Sequence, residues 1–159
     1  TETKPASPSA PAKSVLLPTE ADVTLNTNFE KSRGNLPWPV SSGYLILHFG
    51  DNKLPNGVVI NSQGISIGSN VGTPVKAIFG GEVVSVGNID DLQMVVIKHG
   101  KYFTTYSNIT GVSLSKGQTV QNGQVLGRVA ENLDGVGAID LWISNERSEM
   151  NPESWLKRR

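Results

Sequence analysis

Apolar and polar residues alternate along this chain in bursts too short to make helices. From Asn35 onward the bursts are rich in Val and Ile: Gly43–Phe49, Gly57–Ile60, Gly64–Ile67, Pro74–Phe79, Glu82–Asn88, Met94–His99, Phe103–Ser107, Gln124–Ala130 and Ile139–Ser144. Gly, Asn and Asp break them at intervals of roughly 8–12 residues, which predicts an all-β domain. The breaks carry turn chemistry: Pro55-Asn56-Gly57, Gly80-Gly81, Lys116-Gly117, Asn122-Gly123 and Asp134-Gly135. Gln93–His99 and Tyr102–Tyr106 flank Gly100-Lys101 and read as a tight antiparallel hairpin. A 3.6-residue period is expected only in the short tail Pro152–Arg159. Before Asn35 the pattern is different. Thr1–Ala12 reads TETKPASPSAPA, with too little apolar surface to offset the entropy of ordering, and is expected to be a linker. Lys13–Gly34 offers Val15-Leu16-Leu17, Val23 and Leu25, enough for an added strand or a packed segment, but no helical period. The expected division is an extension over residues 1–34 and one domain over residues 35–159.

The domain echoes itself. Gly72-Thr73-Pro74-Val75 leads to Gly81-Glu82-Val83-Val84, and Gly117-Gln118-Thr119-Val120 leads to Gly123-Gln124-Val125-Leu126. Two copies make no solenoid. The pattern resembles the duplicated motif of barrel-sandwich hybrid folds, which include biotinyl and lipoyl carriers. A carrier needs a Lys at a hairpin tip. Lys98 and Lys101 lie near one, but neither sits in a Met-Lys-Met or Asp-Lys-Ala context, so the carrier reading is disfavoured.

Composition narrows the chemistry. The 159 residues suit one domain plus a tail, able to bury roughly 70% of its unfolded surface. Fourteen basic residues balance fourteen acidic ones, which argues against nucleic acid as a partner. The absence of Cys removes disulfides, thiolate metal ligands and Cys nucleophiles. No apolar run approaches the ~20 residues that span a bilayer.

Catalytic constellations are thin. A hydrolytic zinc site needs about three protein ligands, and the only two His, His48 and His99, belong to no His pair. There is no Gly-x-Ser-x-Gly elbow for a Ser triad. Asp90-Asp91, Glu146 and Glu149 read as solvated loop carboxylates.

The order of the motifs carries more than any one of them. Trp38-Pro39-Val40, His48-Phe49-Gly50, Gly64-Ile65-Ser66-Ile67, Gly72-Thr73-Pro74-Val75, Val95–Gly100, Thr105–Ile109, Gly117–Val120, Gly123–Gly127, Met150-Asn151-Pro152 and Trp155-Leu156 follow one another. This series resembles the LytM-type (lysostaphin-type) zinc endopeptidases of peptidoglycan, over about Leu36–Leu156. The resemblance implies a duplicated-hybrid-motif, barrel-sandwich-like fold of antiparallel sheets. Active members bind zinc through His-x-Gly-x-Asp and the second His of His-x-His, and a His after Tyr-x assists. Laid onto this chain, those motifs fall on Ser62–Ser66, Ala138-Ile139-Asp140 and Tyr106-Ser107-Asn108. Every ligand and both catalytic His are replaced, and Asp140 with two Ser and an Asn makes a poor zinc site.

A fold that keeps its frame without its catalytic set points to binding. The resemblance is nearest to degenerate LytM domains of the EnvC type, the murein hydrolase activators. It implies a non-catalytic protein of the bacterial periplasm or cell envelope, without a cofactor or metal. Its implied partner is an N-acetylmuramoyl-L-alanine amidase, whose regulatory helix would lie in the relic groove. Ser62, Ser66, Asn108, Ala138 and Asp140 are expected to line that groove, with Tyr106 and Trp142 as weaker contacts. Ser66→Lys or Asn108→Glu is expected to abolish activation without unfolding the domain. The alternatives are a peptidoglycan-binding module and a metal-dependent endopeptidase using Asp140, His48 or His99.

Overall fold

The computed structural model describes residues 20–158. The proposed linker Thr1–Ala12 and the Val15-Leu16-Leu17 run lie outside the described residues. One helix, α1 (Glu20–Lys31), opens the described chain where no helix was expected. Its middle is made of weak helix formers, and Thr24, Asn26, Thr27 and Asn28 hide any period. Two effects favour it: Glu20 and Asp22 stand in the first turn and Lys31 in the last, matching the helix dipole. Phe29 then docks fully buried in the domain core, so tertiary packing decides the conformation.

Twelve strands follow: β1 (Tyr44–Leu47), β2 (Gly50–Lys53), β3 (Val59–Ser62), β4 (Ile65–Gly68), β5 (Pro74–Lys76), β6 (Gly81–Ile89), β7 (Leu92–His99), β8 (Tyr102–Thr110), β9 (Thr119–Val120), β10 (Val125–Glu131), β11 (Gly137–Ser144) and β12 (Glu149–Met150). All strand pairings in the two sheets are antiparallel. β2 and β3 form a separate hairpin; the others join one sheet ordered β1-β4-β11-β10-β8-β7-β6-β9, with β5 on β10 and β12 on β11. The Gly100-Lys101 hairpin is present, closing on His99 opposite Tyr102. In the tail only Pro152–Ser154 makes a single 3-10 turn, capped by the Asn151 side chain.

The internal echo has a structural meaning. The short strand of the first copy, β5, pairs with β10 of the second, and the short strand of the second, β9, pairs with β6 of the first. The halves therefore exchange strands, and neither can complete its sheet alone. Ile65, Ile67, Val83, Val95, Ile97, Ile109, Ile139, Leu141 and Ile143 fill the core between them. The ends are tied together as well. Leu36 bridges Leu156 in parallel, and the Trp38 indole donates to the Lys157 carbonyl at 2.7 Å.

Candidate functional site

Strand alternation sorts β11 into two faces. Ile139, Leu141 and Ile143 are buried in the core. Ala138, Asp140 and Trp142 point to the other face. Register extends that face across the sheet: Asp140 stands opposite Ser66 on β4 and Ser107 on β8, and Ser107 stands opposite Met94 on β7. In the next row Trp142 faces Thr105, and Thr105 faces Val96. The sheet thus presents a polar stripe of Ser66, Asp140 and Ser107 beside an indole.

Two glycines let aromatic rings lie on this face. A Cβ at Gly64 would fall 2.0 Å from Trp142 Cδ1 and 2.6 Å from the Leu141 carbonyl, so only Gly lets the indole lie there. A Cβ at Gly68 would fall 2.4 Å from the Tyr44 ring. Tyr44 is 61% exposed and Trp142 38%, so both rings also meet solvent. Exposed Val58, Val59 and Ile60 sit on the β2–β3 hairpin that leads into β4, and Leu133 and Val136 stand on the turn before β11.

The polar residues satisfy one another. Ser66 Oγ donates to Asp140 Oδ1 at 2.5 Å. Burial pushes the Asp140 carboxyl up from its ordinary value, and the Ser66 hydrogen bond opposes that shift. Ser62 Oγ donates to the Gly64 carbonyl at 2.8 Å, closing the turn into β4. Asn108 does something the motif alignment did not suggest. Its backbone is left-handed, with φ of 62°. Its amide donates to the Ala138 carbonyl at 2.7 Å and to the Ala130 carbonyl at 3.1 Å. Here the sheet forks. β11 pairs with β8 through residues 140–144, while β10 enters between them, pairing with β11 at Ala130 and Glu131 and with β8 at Arg128 and Val129. Asn108 pins the fork.

The expected groove is therefore only partly assembled as foreseen. Ser66 and Asp140 touch on an accessible face, with Ser62 at the turn that precedes them. Ala138 is on the same face by alternation but is only 2% exposed, so it lines no open surface. Asn108 spends its amide inside the sheet, which makes Asn108→Glu a probe of folding rather than of the groove. Tyr106 is a correction: it is fully buried, and its hydroxyl accepts from the Ile78 amide at 2.9 Å. Desolvation pushes its phenol up to about 12. The left-handed residue at 108 breaks alternation, so Tyr106 and Asn108 do not share a face as a regular strand would require. Ser107 and Tyr44 were missed. The outward polar pair Thr105 and Ser107 was the available signal for the first; nothing local marks Tyr44.

The two His stand elsewhere. His99 is buried and stacks on Phe29 at 4.7 Å. Its Nδ1 donates to the Gly80 carbonyl at 2.7 Å, and Nε2 accepts from Thr104 at 2.8 Å. Burial lowers its pKa to about 4, so it is neutral at pH 7. His48 is exposed and pairs through Nδ1 with Glu153 at 2.8 Å. Among the described residues no three His, Cys, Asp or Glu side chains come together. A zinc ion wants three or four donors drawn from imidazole, thiolate and carboxylate. The residues at the family's ligand positions are Asp140 and Ser66, hydrogen-bonded to each other, and Ser62, bonded to its own turn. They do not fit that ion.

Comparison with known proteins places this architecture. Peptidase family M23 matches residues 60–152, more than half of the chain. The chain is 29% identical over 148 residues to the murein hydrolase activator EnvC of Escherichia coli, covering 89% of this chain and 34% of that protein. It is 30% identical over 129 residues to the lipoprotein NlpD/LppB homolog of Pseudomonas aeruginosa, covering 79% of this chain and 41% of that one. It thus spans less than half the length of either relative. A zinc containing peptidase from Vibrio cholerae shares the fold, with a TM-score of 0.66 at 21% identity over 79% of this chain and 41% of that chain. No described helix is long and apolar enough to cross a membrane. From its sequence match, its exchanged β-halves and its structural likeness, the chain belongs to peptidase family M23.

Proposed function

We propose that this domain is a non-catalytic activator of a peptidoglycan amidase in the bacterial cell envelope. The observation that carries the reading is the Ser66–Asp140 hydrogen bond at two positions where family peptidases hold their metal, with Asn108, at the assisting-His position, turned into the sheet. An open sheet face flanked by the Tyr44 and Trp142 rings suits a docked segment better than a metal-bound water. The similarity to a murein hydrolase activator supports the same reading. Docking would draw the amidase's regulatory helix off its own active site, so binding energy here is converted to activity there.

The test is calorimetric titration of purified N-acetylmuramoyl-L-alanine amidases with the full chain and with Ser66→Lys. Binding by the wild type and its loss in the variant, at unchanged melting temperature, is the expected result. Equal binding by both removes the groove from the account. A peptidoglycan-binding role for the same face is the second reading, favoured by the exposed aromatic rings. Retention on purified sacculi without amidase affinity would select it.

A further inference from the structure

The stripe contains a carboxyl group with no cationic partner among the described residues. Asp140 is the single ionisable side chain in its row, which runs Ser66, Asp140, Ser107, Met94 and Gly87 across β4, β11, β8, β7 and β6. The adjoining row of Trp142, Thr105, Val96 and Ser85 has none, nor has the pair Ala138 and Gly68. The hydroxyl of Ser66 occupies one carboxylate oxygen. No described Lys, Arg or His hydrogen-bonds or ion-pairs with the other.

We propose that Asp140 is the specificity determinant of the groove, receiving a Lys or Arg side chain from the docked amidase segment while Tyr44 and Trp142 take apolar residues on either side of it. The inference rests on the activator reading and refines it. A half-buried carboxylate that lacks a cation costs stability, because desolvation disfavours its charged form. Its raised pKa agrees with that cost. An arriving guanidinium or ammonium supplies the missing charge, and the indole and phenol faces suit its aliphatic stem. Charge complementarity thus names the occupant: a segment with one cation between apolar neighbours. An acidic or wholly apolar segment would leave Asp140 unpaired and be rejected. Ser66 is a positioning residue here, holding one oxygen so that the other is presented.

Three variants of the full chain decide it: Asp140→Asn, which keeps shape and removes charge; Ser66→Lys, which fills the groove; and Asp140→Lys. Each is titrated against the amidase, and against amidase variants with each Lys or Arg of the regulatory helix changed to Glu. Asp140→Asn should weaken binding at least tenfold, about 1.4 kcal/mol, while its melting temperature stays equal or rises. Asp140→Lys should lose binding to the wild-type amidase and regain it with one Glu-substituted amidase. Wild-type affinity for Asp140→Asn, alongside lost binding in Ser66→Lys, overturns the charge role but leaves the groove. Wild-type affinity in all three overturns both. Loss of sacculus binding rather than amidase binding in Asp140→Asn also overturns the proposal, since the cation would then be an amine of the cell-wall peptide.

Discussion

Asn108 stands where the resemblance to zinc peptidases implies a catalytic His, and in this fold it holds the sheet together. In the structure it occupies a left-handed backbone conformation that Asn tolerates better than most residues. Its amide satisfies two carbonyls on two different strands. Asn108→Ala is therefore expected to destabilise the domain by about 3–4 kcal/mol, from two hydrogen bonds at about 1 kcal/mol each and the strain of an Ala at positive φ. Asn108→Gly keeps the backbone relaxed and should recover about 1 kcal/mol of that loss. Urea denaturation of both variants checks this; equal loss in the two would show that the backbone conformation contributes nothing. None of this was legible in the motif, because the carbonyls of residues 130 and 138 meet Asn108 only through the sheet. The Ser66–Asp140 contact was easier to foresee, since both positions map to ligands of one ion. Tyr106 was misplaced because strand register, and not local pattern, decides which face a residue takes.

At the scale of elements, the strands were readable and the helix was not. β4, β6, β7, β10 and β11 announce themselves through Val, Ile and Leu, and β8 through its aromatic and Thr residues. β2 reads Gly-Asp-Asn-Lys, and β9 and β12 are two residues each, so they carry no apolar signal. Helix α1 buries one residue in the core. Phe29 contacts His99 and Trp155 at 4.7 and 4.8 Å between ring centroids, and Tyr102 and Phe79 at 5.1 and 5.4 Å. Tyr102 also donates to Glu30 at 2.6 Å, and the Lys101 amide donates to Asn26 at 2.8 Å. Phe29→Ala should cost about 3–5 kcal/mol and detach the helix from the hairpin tip. The same docking keeps His99 neutral. Its folded pKa of about 4 lies below the ordinary 6.5, so between those values the unfolded chain binds more protons than the folded one. Stability should be level above about pH 6.5 and fall by about 3 kcal/mol as pH drops toward 4. In Phe29→Ala, with His99 exposed to water, the slope contributed by His99 should shrink. Denaturation midpoints from pH 4 to 8 read both effects, and a wild type whose stability rises as pH falls from 6.5 to 4 would contradict them.

At the scale of the molecule, two duplicated halves trade short strands and bury one core. The exchange was prefigured in the Gly-x-x-Val echo, although a repeat in sequence does not say which half a strand completes. This construction gives a rigid sheet whose outer face is free to vary without loss of the core on its inner face. Ile139, Leu141 and Ile143 can stay as they are while Ala138, Asp140 and Trp142 change task. Such a face can exchange metal chemistry for docking while the fold persists.

The claim that this face binds rather than cuts meets its most direct test in dye release from labelled sacculi, measured for the full chain alone, for a purified N-acetylmuramoyl-L-alanine amidase alone, and for the two together with zinc present throughout. The account predicts no release by the chain alone, slow release by the amidase, and a severalfold increase when they are mixed. Release by the chain alone that a chelator abolishes, or no gain on mixing with any amidase of its own cell, would contradict it.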